Sequence, residues 1–424
     1  MSGRRTAIAM ILTSMLAGAT PAAEEADFSL PDGARVVFFG DSITQAGDYV
    51  TYVEAFLLTR FPDRRYTIIN HGISSETVSG TSEPDHPTPR PNALDRFARD
   101  VAAWKPDGVV ACFGMNDGNY HPPDPERFAK YRSGVESLLT RACDEAGARF
   151  VTLLTPPPFD PYSRQVGDPM AVHYGYQFPA VNYDDTLRGY ADFLLTKHDP
   201  TSGLIVADDH ALINAHLAAR RKQRVSFTLA GDAVHPNPTG HALMALSLLL
   251  AWQAPPVAAV ATIDAASMAV EGSVSGLARE GEGIVFAWKA PLPWPYDPEW
   301  DAESVAVERF GDQVNRYRLV AKGLSAPRYR LKATLIDALG PEVAVGEFTR
   351  EQLADGLDLA ALPRFPTTYV ARSLLAELKA RRRSEYDAWR RSPDRVPPDA
   401  PRDDLRSRCR PTTVRIRLEA LGAR

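Results

Sequence analysis

A few short stretches of this chain hold residues that could together transfer an acyl group. Ser42 follows the apolar run Val36–Phe39 in VVFFGDSITQAG (36–47), where Gly40 and Asp41 stop a strand and leave a hydroxyl facing solvent. Asp232 and His235 are separated by two residues in GDAVHPNPTGH (231–241). A tight turn at that spacing lets the carboxylate reach one imidazole nitrogen and leaves the other free for a hydroxyl. Gly72 in NHG (70–72) and Asn116 in GMND (114–117) close two further apolar runs. Gly72 can present a backbone N–H and Asn116 a side-chain amide; with the N–H of Ser42 they make three donors for an oxyanion. Nucleophile, base, orienting carboxylate and donors are the parts that serine acyl transfer needs. Each has a plainer reading. Serine after a strand caps helices, an isolated Asp-x-x-His is common, Gly72 suits a turn and Asn116 a cap. Their joint occurrence at strand ends and in one late loop favours the chemistry. Asp41 and Asp117 are expected to brace the loops by accepting from backbone N–H groups. His71, His121, His173, His210, His216 and His241 lack ligand spacing with nearby Cys, Asp or Glu, so no metal site is expected, and the mechanism requires no cofactor.

Such residues need a scaffold that gathers strand ends. RVVFFG (35–40), YTIIN (66–70), GVVACFG (108–114), RFVTLL (149–154) and LIVA (204–207) read as strands. YVTYVEAFLLTRF, NALDRFARDVAAWK, PERFAKYRSGVESLLTRACDEAG, YDDTLRGYADFLLTKH and TGHALMALSLLLAW read as helices. The alternation predicts an α/β region over 30–253 with a parallel sheet covered on both faces, ligands binding at the carboxyl ends of its strands. WQAPPVAAVATID marks a linker over 254–264. Residues 265–424 then form a smaller, mostly β domain: MAVEGSVSGLA, GIVFAWKA, YRLVAKGL and RYRLKATLI are β-like. FTREQLADGLDLA and TTYVARSLLAELKARRRSEYDAWRR are helical, SPDRVPPDAPRDDLRSRCR is loop, and VRIRLEA adds an edge strand. The arginines between Arg381 and Arg417 fit a solvated helix face and tail.

With 424 residues, two domains are expected. A hydrophobic share of 44%, a charged share of 24% and a net charge of −5 are ordinary for a globular protein and argue against a nucleic-acid partner. MSGRR, then the short apolar TAIAMILTSMLAGA, then small residues before EEAD read as a signal peptide over 1–23, cleaved near Ala22 or Ala23. That places the mature chain in the periplasm or outside the cell, without a membrane span. Cys112 reads as a buried small hydrophobe, Cys143 lies on a helix and Cys409 in the tail, so one disulfide at most could form.

GDSI, the glycine of NHG, GMND and DAVHP, in that order, resemble the four blocks of the SGNH/GDSL hydrolase superfamily. The resemblance covers roughly 33–253 and implies a flavodoxin-like three-layer α/β/α sandwich. It assigns that family's serine, glycine, asparagine and histidine to Ser42, Gly72, Asn116 and His235, and its aspartate to Asp232. YRLVAKGL…YRLKATLI…GEFTREQLADGLDLA resembles the C-terminal region of large secreted members and carries no residue-level function. The segment 156–185 shows no lid but mixes Phe159, Tyr162, Tyr174, Tyr176, Phe178 and Tyr183 with polar residues, as platforms for sugar rings would. Together these features resemble secreted carbohydrate O-acetylesterases. The expected substrate is an acetylated polysaccharide or oligosaccharide. The alternatives are a lipase or arylesterase on small or lipidic esters, a sugar O-acyltransferase, and a non-catalytic glycan-binding protein, against which the complete Ser42/Asp232/His235 set argues.

Overall fold

A computed structural model describes residues 30–84, 86–163, 173–336, 341–393 and 402–422. The expected signal peptide therefore lies outside the described residues. Five parallel strands, β1 (Arg35–Gly40), β2 (Thr67–Gly72), β3 (Gly108–Cys112), β4 (Phe150–Leu154) and β5 (Leu204–Ala207), form one sheet in the order β2-β1-β3-β4-β5. Val36 to Phe39 are fully buried, as a strand covered on both faces requires. The order reverses direction at β1, so a crevice opens between the carboxyl ends of β1 and β3. Ser42 stands just beyond the first and Asn116 just beyond the second.

Two helices follow β1 directly: α1 (Ser42–Ala46) and α2 (Asp48–Arg60). The α2 sequence DYVTYVEAFLLTR has no polar face, and a helix apolar all round must be covered on every side. One side meets the sheet. The other meets an aromatic wedge from PLPWPYDPEW (291–300): Phe56 packs edge-on to Trp294 at 5.9 Å and Tyr52 to Trp300 at 4.9 Å. The Trp294 indole N–H donates to the Tyr52 carbonyl at 2.9 Å, so that ring's polar edge is satisfied too. The second half of the chain thus completes the core of the first.

That second half carries two further sheets. One has the order Leu357–Asp358, Arg316–Lys322, Val257–Asp264, Ala269–Glu271. The other is antiparallel: Val343–Thr349, Arg328–Leu335, Thr412–Ala420, Gly283–Ala290, Val274–Glu280. The long helix Pro366–Arg391 lies against the β2 edge of the parallel sheet.

Six local expectations need correction. Within SPDRVPPDAPRDDLRSRCR, expected as loop, Asp403–Cys409 is a helix that buries Leu405 and Cys409. Val257–Asp264, expected within a linker, is a strand; its alanines look linker-like, but Ala261 and Ile263 are buried. VRIRLEA is no edge: Thr412–Ala420 pairs on both sides and buries Val414, Ile416 and Leu418 in strict alternation. NALDRFARDVAAWK breaks into a 3-10 turn (Ala93–Arg96), a short helix (Phe97–Asp100) and a second 3-10 turn (Ala102–Trp104). There Arg96 turns inward, ion-paired to Glu76 at 2.5 Å and to Asp100 at 3.1 Å, a tertiary demand that overrides helical periodicity. DHALINAHLAARR forms an additional helix (Asp209–Arg221), capped by the Asp208 carboxylate on the Ala211 N–H. FTREQLADGLDLA is helical only over Arg350–Asp355. All three cysteines are free.

Candidate active site

At the end of β1 the chain must turn within a residue. A Cβ on Gly40 would stand 2.7 Å from the Cys112 carbonyl oxygen, so only glycine fits beside β3. Asp41 then caps α1, its carboxylate accepting from the Ile43 N–H at 2.9 Å. Ser42 becomes the first helical residue, with a backbone N–H that no turn of its own helix can use.

The late loop returns to it. Asp232 folds GDAVHP around itself: one carboxylate oxygen accepts the N–H groups of Val234 at 3.0 Å and His235 at 2.8 Å, with Ala233 left-handed at φ 72°. The other oxygen accepts from His235 Nδ1 at 2.6 Å. A carboxylate only accepts, so the proton sits on Nδ1 and the Nε2 lone pair faces outward. Ser42 Oγ lies 2.8 Å from that Nε2 and donates to it. Burial alone would raise the Asp232 carboxyl, but the His235 ring and the two loop N–H groups hold it well below the usual carboxylate range. The loop then runs straight into the helix Pro238–Ala251, capped by Asn237.

The expected donors fare differently. Asn116 arrives beside Ser42's loop: its Nδ2 donates to the Glu76 carbonyl at 3.1 Å and lies 3.4 Å from the Asp41 carboxylate. Its Oδ1 accepts from Arg90 at 3.0 Å and from the Tyr120 hydroxyl at 3.2 Å, which fixes the amide's orientation. Gly72 departs from expectation. Its N–H donates to the Asn70 side chain at 2.9 Å, and that side chain also donates to the Thr44 carbonyl at 2.7 Å. Glycine is required there by packing, since a Cβ would stand 2.2 Å from the Gln45 nitrogen. Three residues on, Ser75 holds a left-handed φ of 67°, and its carbonyl accepts from Arg90 at 3.3 Å. Its N–H makes no hydrogen bond among the described residues.

Arg90 was invisible in the sequence. It is buried and grips Glu83 through two nitrogens, at 2.5 and 2.6 Å, while its third reaches Asn116. Burial would raise Glu83, yet Arg90 holds it below its ordinary value. No local motif announces such a residue; only the fold brings positions 83, 90 and 116 together.

Asp41 and Asp117 do brace loops, Asp117 by accepting from the Ser79 N–H at 2.8 Å. Burial pushes Asp41 up to about 7 and Asp117 up to about 6, against the pull of those hydrogen bonds. Of the aromatic candidates, Tyr176 joins the site, its hydroxyl donating to Asp232 at 3.3 Å. Tyr174 stands edge-on to His121 at 5.1 Å, and exposed Tyr162 lies under Arg221 at 4.3 Å. Phe159 and Tyr183 are core residues packed on each other at 5.6 Å, so they are not sugar platforms; Phe178 is exposed. Ser42 and His235 open into a cleft of about 720 Å³.

A five-stranded parallel sheet with a serine, a histidine and an aspartate hydrogen-bonded in series beyond its strand ends is an arrangement suited to serine hydrolase chemistry on an α/β scaffold. Residues 38–243 match the GDSL-like Lipase/Acylhydrolase family. An acetylxylan esterase from Geobacillus stearothermophilus is 26% identical over 234 residues, spanning 51% of this chain and 93% of that protein. The fold is similar to that of a gut microbial diltiazem-metabolizing enzyme, with a TM-score of 0.71 at 19% identity, over 92% of this chain and 98% of that one. Over residues 38–243, just under half of the chain, the protein is similar to the SGNH/GDSL hydrolase superfamily, which supports a serine ester hydrolase.

Proposed function

We propose that this protein is an exported O-acetylesterase that removes acetyl groups from polysaccharide or oligosaccharide. The observation that carries the reading is the hydrogen-bonded series Ser42–His235–Asp232, at 2.8 and 2.6 Å. His235 Nε2 takes the Ser42 proton as Oγ bonds to the ester carbonyl carbon. The oxyanion so formed meets the Ser42 N–H, and Asn116 Nδ2 through the hydrogen that otherwise makes the long 3.4 Å contact to Asp41. His235 then gives the proton to the sugar oxygen as its bond to the acyl carbon breaks, leaving an acetyl-enzyme. Water attacks next, losing its proton to His235; the Ser42 oxygen leaves, recovers that proton, and acetate departs.

Two features favour a sugar acetate over a lipidic ester. The cleft beside Ser42 is walled by Asp48, Glu299, Lys379, Arg383 and Asp387, which a lipidic ester would have to desolvate without return. The Geobacillus stearothermophilus relative is named for acetylated xylan. Export is supported by the signal-like N-terminus, and among the described residues no helix is long and apolar enough to cross a membrane.

The purified protein should be offered 4-nitrophenyl esters from acetate to octanoate and acetylated xylan, alongside Ser42→Ala. Acetate is expected to be the best of the simple esters, and the variant to lose nearly all activity. Full activity in Ser42→Ala refutes the nucleophile; a maximum at octanoate refutes the carbohydrate reading in favour of a lipase.

A further inference from the structure

The cleft at Ser42 is not walled by the parallel-sheet region alone. One side is Ser42, Gln45, Asp48 and Thr51, at the starts of α1 and α2; the other is the long helix Pro366–Arg391. That helix carries two stripes at four-residue spacing. Arg382 and Tyr386 face the sheet: Arg382 donates to the Ile68 carbonyl at 2.6 Å, and the Tyr386 hydroxyl to the Gly72 carbonyl at 2.8 Å. One step round the helix, Lys379, Arg383 and Asp387 line the cleft. Lys379 is committed to Asp297 and to Glu299, the latter at 3.2 Å. Arg383 and Asp387 are exposed and, although four residues apart, make no ion pair or hydrogen bond among the described residues.

We propose that Arg383 and Asp387 form the subsite for the alcohol half of the ester and select alcohols rich in hydroxyl groups. The chemistry is complementary. Each hydroxyl of a vicinal diol both donates and accepts; the guanidinium offers only donors and the carboxylate only acceptors. Together they satisfy both functions of neighbouring hydroxyls, whereas an apolar alcohol would strip water from two charges for nothing. The helix holds this pair rigidly, because Arg382 and Tyr386 are tied to β2 a fraction of a turn away. The inference rests on the esterase reading above and goes beyond it: substrate choice is assigned to the C-terminal region.

The full-length double variant Arg383→Ala/Asp387→Ala tests this. Its kcat/KM should be measured on a monoacetylated methyl xyloside, on glyceryl monoacetate and on 4-nitrophenyl acetate, with thermal melting as the check of folding. The xyloside-to-nitrophenyl ratio is expected to fall about tenfold, through KM, the size of one or two lost hydrogen bonds to charged groups. A ratio within about threefold of the parent overturns the proposal. Should the parent cleave 4-nitrophenyl acetate but no saccharide acetate, the carbohydrate reading fails by itself. The subsite is then judged by the same criterion on glyceryl monoacetate, a hydroxyl-bearing acetate without a sugar ring.

Discussion

The Asp232 carboxylate is shared between loop and ring: one oxygen folds the turn through Val234 and His235, and the other fixes the Nδ1–H tautomer. Asp232→Asn keeps an acceptor but can present a donor to Nδ1, favouring the wrong tautomer. It is expected to lower kcat by about 10³–10⁴ with little change in melting temperature, measured on 4-nitrophenyl acetate. Arg90→Lys keeps the charge beside buried Glu83 but loses the fork that reaches Asn116. We expect kcat to fall about 10-fold or more while KM stays near the parent's, because an oxyanion donor loses its orientation. Asp41 yields a pH prediction. With its carboxyl pushed up to about 7 by burial, the folded state binds a proton that the unfolded state has released above the ordinary value of 3.8. Stability from this group is therefore full below that ordinary value and is lost as pH rises towards the folded one. Melting curves of Asp41→Asn and the parent should differ more in the parent's favour at pH 5 than at pH 8; a constant difference would count against the shift. At this scale Ser42, Asp232 and His235 were legible, because turn residues and spacing within single loops place them. Arg90 and the tying of Gly72 to Asn70 were not, because each depends on a contact made across the fold.

Among the elements, the long helix Pro366–Arg391 binds the two halves. Arg382 and Arg402 converge on Glu54 of α2, Arg402 at 2.9 Å, and all three are buried. His71 at the end of β2 stacks on Trp389 at 4.0 Å, and burial brings its imidazole down to about 4, so it packs as a neutral ring. Glu54→Gln leaves the buried Arg382 guanidinium without its anion, while Arg402 keeps Glu385, and is expected to cost about 3–5 kcal/mol in urea unfolding. A loss below about 1 kcal/mol would show the pairs to be dispensable, as exposed ones usually are. The length and periodicity of this helix were plain in TTYVARSLLAELKARRRSEYDAWRR, yet its arginines read as a solvated face. Charge alone does not reveal which arginine meets a buried glutamate more than three hundred residues away.

For the whole molecule, one apolar core runs from Val36 through Phe56 and Trp294 to Tyr317 and Ile416 without a break. The parallel-sheet region and the C-terminal region should therefore unfold together. Differential scanning calorimetry is expected to show one cooperative transition; two resolved transitions would mean that the wedge at Trp294 and Trp300 adds little. The alternation of apolar runs and amphipathic stretches by itself determined the five strands of the parallel sheet and the loops that carry Ser42, Asn116, Asp232 and His235. These features follow from local chemistry: buried strands, turn formers and helix caps. Only the tertiary structure decided that Val257–Asp264 is a strand, that Thr412–Ala420 is central to its sheet, and that Gly72 spends its N–H on Asn70. It alone also placed Arg383 and Asp387 on the wall of the cleft that opens at Ser42. The reason is physical: pairing, burial and charge satisfaction between distant segments are properties of the packed chain, and no window of sequence contains both partners.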